Sequence, residues 1–219
     1  DTPGLLGEEL PRKFPEIEMA CNMSWTQYMT VSVGERNMLR RGNYAGPDYF
    51  SMFTYPALAG SVENALKSPD NMVITENMAV VFFGSANEAI GQVIKVDNKW
   101  DMNVAAVVQD VPSNSSEQFD FLLSWELFKK FNPWMDNWHN SGPYTFVLLK
   151  ENTDAGNLIG KLKAFIKQYD KDYADNDHLE LGLQPYGERY LHSNFKNGYV
   201  AGGRIEYVRL FILVALFIL

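Results

Sequence analysis

A chain of 219 residues is long enough for one large domain or two small subdomains with a proper core. Hydrophobic content of 46%, with aromatics at 14%, is that of a globular protein and not of a disordered one. A net charge of −8 and a pI near 4.9 exclude a nucleic-acid partner, which would need a basic face.

In chain order, Pro3 to Phe14 reads as a short helix with Leu6, Leu10 and Phe14 on one face and Pro11 inside it. The chain opens on polar Asp1-Thr2-Pro3-Gly4 instead of a basic and then apolar run, so no signal peptide is read there. Ile17 to Trp25 reads as a strand with Ile17, Met19, Cys21 and Met23 alternating inward. Cys21 is the single cysteine, so it cannot form an intramolecular disulfide, and it is expected to be a small buried hydrophobe. Tyr28 to Val33 and Met38 to Ala45 form a predicted hairpin around Gly34-Glu35-Arg36-Asn37. Arg40 and Arg41 on it suit either a small anion-reading patch or plain solvated charge.

Pro47 to Phe53 is predicted as a short helix whose Tyr49, Phe50 and Phe53 make an aromatic core face. A further turn is expected over Ser61 to Lys67, capped by Ser61. Met72 to Ile74 is a strand, and Glu76 to Phe83 a helix closed by Gly84. Ile90-Gly91 marks a tight turn, and the strands Val93 to Val96 and Met102 to Val108 flank the turn Asp97-Asn98-Lys99. Glu117 to Trp125 reads as a strand or extended arm. Phe128 to Ser141 then carries Trp134, Trp138 and His139 amid Asn and Asp. Two readings stay open for it: a tryptophan platform for a sugar or partner protein, or a long loop pinned by two buried indoles.

Tyr144 to Lys150 is a strand. A helix capped by Thr153 or Asp154 runs to Tyr169, and His178 to Pro185 gives another strand. The acidic cluster Asp170, Asp172, Asp175 and Asp177 lacks the Gly and terminal Glu of a calcium loop and reads as solvated. Leu210 to Leu219 is unbroken apolar sequence, shorter than the roughly 20 residues a membrane helix needs. It fits a truncated span or a core helix, and Tyr207 and Arg209 before it are residue types of a membrane interface.

Catalytic motifs are absent from the sequence. His139, His178 and His192 fall in no zinc spacing, and there is no Walker A run, G-x-S-x-G elbow or GxGxxG. Paired carboxylates such as Glu76 and Asp120 leave a glycan hydrolase as a remote rival.

One ordered series of phrases resembles a known family. It comprises Asp48-Tyr49-Phe50-Ser51-Met52-Phe53, the segment from Thr54 to Gly60, Ala65-Leu66-Lys67, Ile74-Thr75-Glu76, Phe82-Phe83-Gly84 and Ala89-Ile90-Gly91-Gln92. It continues with Asp110-Val111-Pro112-Ser113-Asn114-Ser115, Phe119-Asp120-Phe121, Val147-Leu148-Leu149-Lys150 and Leu191-His192-Ser193. The series resembles the periplasmic core domain of MacB-like and FtsX-like ABC-transporter permeases of the Bacteroidetes type. Two departures are Ala106, where the family carries Gly, and Pro11.

The resemblance implies an α+β fold of α/β sandwich layers. A porter-like subdomain would comprise residues 1–57 and 112–209, with an inserted β-rich subdomain over 58–111 and the start of a truncated transmembrane helix over 210–219. It implies a non-catalytic domain that faces the periplasm from the bacterial inner membrane and couples cytoplasmic ATP hydrolysis to periplasmic cargo or partner handling. ATP would be used by a separate ABC ATPase subunit or domain, with no cofactor in this one. The expected partners are that ATPase, a second permease copy, an unknown periplasmic protein or cargo, and the membrane through flanking helices. Trp134, Trp138 and His139 are the expected contact residues. The alternative is an extracytoplasmic ligand-sensing domain of a membrane signalling protein.

Overall fold

The computed structural model describes residues 1–163, 165–169, 181–196 and 199–218, and its chain divides into two compact units, Asp1–Glu151 and Asn152–Leu219. The fold is α+β.

In the first unit, helix α1 (Leu6–Lys13) places Glu8 and Glu9 in its first turn and Arg12 and Lys13 in its last, which complements the helix dipole. Pro11 inside it supplies no N–H for the carbonyl one turn back. Strand β1 (Ile17–Met23) is followed by the hairpin β2 (Gln27–Val33) and β3 (Arg36–Ala45). The hairpin turn is tighter than predicted: Val33 pairs with Arg36 around Gly34, whose φ of +57° suits glycine. Helix α2 (Tyr49–Met52), β4 (Ala57–Gly60), a 3₁₀ turn Ala65–Lys67 and β5 (Asn71–Thr75) come next. The residue preceding that 3₁₀ turn is Asn64, which makes no side-chain cap, so the expected Ser61 cap is not formed.

Helix α3 (Glu76–Phe83) ends as predicted at Gly84, with φ +92° and its N–H bonded to the Val80 carbonyl. A short helix α4 (Ala86–Ala89), capped by Ser85, leads to β6 (Val93–Val96) and β7 (Trp100–Val108). The turn between them holds Asp97 and Asn98 at φ +49° and +55°, a conformation these two residue types tolerate. The predicted extended arm is strand only over β8 (Phe121–Ser124). There Ser124 Oγ accepts from the Glu126 N–H and starts helix α5 (Trp125–Phe131). A 3₁₀ turn Pro133–Asp136 and β9 (Tyr144–Leu149) complete the unit.

Strands β1 to β9 form one mixed sheet. Its ladders close on themselves: β2 pairs β3, β3 pairs β8, β8 pairs β5, β5 pairs β7, β7 pairs β6, and β6 returns to β2. The expected porter-like and inserted parts share this circuit. Side chains alternate across it. Met72, Ile74, Phe121 and Leu123 enter a large cluster with α3, α4 and α5, while Val73 and Leu122 enter a second cluster around Tyr49. In β7 the alternation flips, because Met72 pairs with Val104 but Val73 pairs with Ala106, leaving Ala105 as a bulge. Met102 and Val104 therefore share a cluster with Val107, and Ala106 goes to the other. The second cluster contains the predicted aromatic core: Tyr49 is buried against Phe53 at 4.9 Å, Phe50 at 5.5 Å and Phe119 at 6.4 Å between ring centres. Strand β1 is buried on both faces near its end. Asn22 there donates to the Gly4 carbonyl at 2.6 Å and accepts from the Thr145 hydroxyl at 2.9 Å.

The second unit begins with α6 (Ala155–Lys163), where Asp154 Oδ1 accepts from the Asn157 N–H at 3.1 Å as an N-cap does. The predicted helix to Tyr169 is shorter than expected, and a 3₁₀ turn Ile166–Gln168 follows. Leu158, Leu162, Phe165 and Ile166 are buried, as the spacing requires. The aspartate cluster 170–177 and His178 lie outside the described residues, and residues 181–185 carry no strand. A 3₁₀ turn Tyr186–Glu188, the ribbon β10 (Asn194–Lys196) and β11 (Tyr199–Gly202), and helix α7 (Ile205–Ile218) close the chain. Among the described residues no helix is long and apolar enough to cross a membrane.

Candidate functional site: an aromatic cleft beside helix α5

Helix α5 is the wall on which the cleft is built. Its first turn buries Trp125, Leu127 and Phe128, and its last residue, Phe131, is left 48% exposed. Phe128 meets Trp25 edge-on at 5.7 Å and Tyr44 at 4.9 Å. Opposite, the β6–β7 turn presents Trp100, whose ring lies 4.9 Å from Phe131. The turn is held by Asp97, whose Oδ1 accepts from the Thr30 N–H at 2.8 Å and whose own N–H donates to the Thr30 carbonyl at 2.7 Å. Lys99 carries its ammonium 5.7 Å from the centre of the Trp100 ring. These rings enclose a cleft of about 560 Å³, with Gln27 and Asn132 as amide groups in its lining.

Tyr44 lies in the cleft floor with its hydroxyl pushed up to about 12, by burial first and by the Asp97 charge second. It is therefore a neutral donor throughout the physiological range. The cleft thus offers apolar faces, two amides, one carboxylate and one ammonium. Those groups suit holding a ligand or a side chain of a partner.

Of the residues expected from sequence, Trp134 borders this cleft. Its Nε1–H donates to Asn132 Oδ1 at 3.1 Å, and Asn132 in turn donates to the Phe128 carbonyl at 2.9 Å. A Cβ added to Gly142 would lie 3.1 Å from Trp134 and 3.2 Å from Trp25, so both indoles flank that glycine. Trp138 and His139 are not in the cleft lining; His139 hydrogen-bonds to Asn137 Oδ1, at 2.9 Å from its N–H and 3.0 Å from Nδ1. Neither indole is buried, since Trp134 is 38% exposed and Trp138 half-buried. Met135, fully buried between them, pins the stretch. Trp25, Trp100, Tyr44 and Phe131 were not legible as site residues, because each lies within or at the limit of an ordinary element and the four come from separate parts of the chain. The signal present was three tryptophans, Trp25, Trp100 and Trp134, just outside or at the limit of predicted strands and helices.

Elsewhere, Arg41 is no free charge: Asp120 accepts from its backbone N–H at 2.8 Å and from its guanidinium at 3.4 Å. Arg40 turns toward Met38 Sδ at 3.5 Å. Among the described residues no group of three His, Cys, Asp or Glu could hold a metal ion.

The fold is that of several solved domains. A domain assigned to a permease protein from Porphyromonas gingivalis superposes with a TM-score of 0.65 at 20% identity, covering 78% of this chain and 79% of that one. The periplasmic region of MacB from Actinobacillus actinomycetemcomitans gives 0.58 at 13% identity, over 77% and 74% of the two chains. The extracellular domain of the noncanonic ABC-type transporter YknZ from Gram-positive bacteria gives 0.53 at 11%, over 72% and 79%. No curated protein sequence matches. Residues 2–165 match the profile of the MacB-like periplasmic core domain, and the chain belongs to that family.

Proposed function

We propose that this chain is a non-catalytic periplasmic domain of an ABC-transporter permease of the bacterial inner membrane. In this reading it passes movement driven by cytoplasmic ATP hydrolysis to a periplasmic cargo or partner. The observation that carries it is the family match over residues 2–165. The ATP belongs to a separate ABC ATPase subunit or domain, and this domain needs no cofactor of its own. A second permease copy completes the working assembly. Residues 1–57 and 112–209 form the porter-like part, 58–111 the inserted part, and 210–219 begin a membrane helix. Cargo or partner meets the cleft of Trp25, Trp100 and Phe131, with Trp134, Trp138 and His139 extending the contact.

The cleft volume, within the range of small-molecule sites, also favours a second reading as a ligand-sensing domain. Purifying the full-length parent in mild detergent separates the two. Co-purification of an ATP-binding subunit, with an ATPase rate that falls when this domain is deleted, supports the transporter. A parent fused to a kinase or cyclase module, with no ATPase, overturns it in favour of the sensor.

A further inference from the structure

Exposed aromatics recur along the stretch of the second unit that leads into α7. Tyr186 is 42% exposed, Tyr190 54% and Phe195 55%. Phe195 pairs directly with Val200 across the β10–β11 ribbon, so two exposed apolar side chains share one face. A two-stranded ribbon with an apolar pair in water is marginal unless that face is covered. The same stretch reverses the sign of the chain. Between Tyr186 and Arg209 there are four basic residues, Arg189, Lys196, Arg204 and Arg209, against Glu188 and Glu206, in a protein of net charge −8.

The stretch is also fastened to α7. The Ile205 N–H donates to the Leu191 carbonyl at 3.1 Å, and the Arg204 guanidinium lies 4.3 Å over the Tyr190 ring. Gly203, at φ +147°, lets the chain approach Leu191 and Ser193 more closely than a Cβ would allow. From there α7 exposes apolar side chains all along its length, with Phe211 at 68%, Leu216 at 73% and Phe217 at 84%. Exposed aromatics and arginines beside the start of an exposed apolar helix are the composition of a bilayer interface.

We propose that residues 186–196 and 199–204 form a collar that docks on the headgroup layer of an anionic bilayer, with Phe195 and Val200 seated at its apolar boundary. The inference rests on the reading of α7 as the start of a membrane helix. Its charge favours an acidic lipid surface, and each basic side chain near such a surface adds roughly fivefold to partitioning.

The test uses the full chain carrying one environment-sensitive thiol label, bound to phosphatidylcholine vesicles with and without phosphatidylglycerol. Native Cys21 is buried and does not compete for the label. Labels are placed by Phe195→Cys, by Phe217→Cys in α7, and by Leu39→Cys, an exposed site in the first unit. With phosphatidylglycerol present, the collar predicts that label 195 shifts to the blue and resists an aqueous quencher, as label 217 does, while label 39 stays open. Lys196→Gln should weaken partitioning about fivefold only on the anionic vesicles. If label 217 is shielded and label 195 is quenched like label 39, the collar is overturned and the helix reading stands. If label 217 is also open, both fall.

Discussion

Cys21 and Tyr44 carry a pH dependence that single-residue chemistry makes explicit. Burial pushes the Cys21 thiol from its ordinary 9.0 up to about 12; a backbone hydrogen bond at Gly46 lowers it and the Asp48 charge raises it further. Tyr44 rises from 10.0 to about 12 for similar reasons. Both keep their proton in the folded state where the unfolded chain would lose it. Their contribution to stability is complete below about pH 9 and is lost as pH rises toward 12. Urea midpoints should therefore fall steadily above pH 9, and Cys21→Ala should flatten the first part of that fall. An unchanged slope in the variant would remove Cys21 from the account. The same thiol should resist alkylation at pH 8 until the protein is unfolded. Gly42 is a second single-residue case. An added Cβ would strike the ring of Phe121, which is fully buried, and Met29. Gly42→Ala should cost about 1–3 kcal/mol by thermal or chemical melting, and a neutral result would mean the Phe121 ring can step aside. The inward aim of Cys21 was legible in the sequence, because alternation along a strand fixes a face. The need for glycine at 42 was not, since it depends on a ring from a strand almost eighty positions later.

At the scale of elements, helix α5 is tied to α1 by Lys129, whose ammonium lies 2.6 Å from Glu8 and 2.9 Å from Glu126. Burial lowers this lysine, but the hydrogen bonds and charges of the two carboxylates outweigh it and leave the group raised. The tie therefore holds below the ordinary lysine range and is lost only as pH rises above it. Because the side chains are partly exposed, Lys129→Met should cost only about 0.5 kcal/mol at neutral pH. Raised salt should erase that difference; if the loss persists in high salt, packing and not charge is responsible. Gly84 closes α3 at φ +92°, and Gly84→Ala should cost about 1–2 kcal/mol, measurable as a lower melting temperature. That helix and its glycine end were read from sequence correctly, because a periodic run and its stop signal are both local. The bulge at Ala105 was invisible for the opposite reason. Its cause is the register against β5, and Ala105 is an unremarkable residue in an apolar run. Helix α5 was likewise hidden, since Trp125, Leu127, Phe128 and Phe131 also suit an extended arm.

For the whole molecule, the sequence of family phrases carried the fold class, whereas the cleft came only with the closed circuit of strands. That circuit brings the β6–β7 turn to the wall of α5, joining Trp100 to Phe131 across about thirty positions. All nine strands of the main sheet lie within Asp1–Glu151. A chain cut after Glu151 should thus unfold in one cooperative step, seen by circular dichroism. A broad, non-cooperative melt would show that residues beyond 151 complete its core.

The pairing of β1 has a consequence for how the protein is made. Strand β1 meets β3 only at Met23 and Ala45, and its remaining ladder is with β9, from Tyr144 to Leu149. Strand β1 therefore waits, once made, for roughly 120 further residues, on the order of ten seconds at ordinary rates of synthesis. Through that interval its backbone donors and acceptors stay open to water, to chaperones, or to the edge of another nascent chain. On the proposed periplasmic reading, which requires export before folding, that delay keeps the segment around β1 threadable.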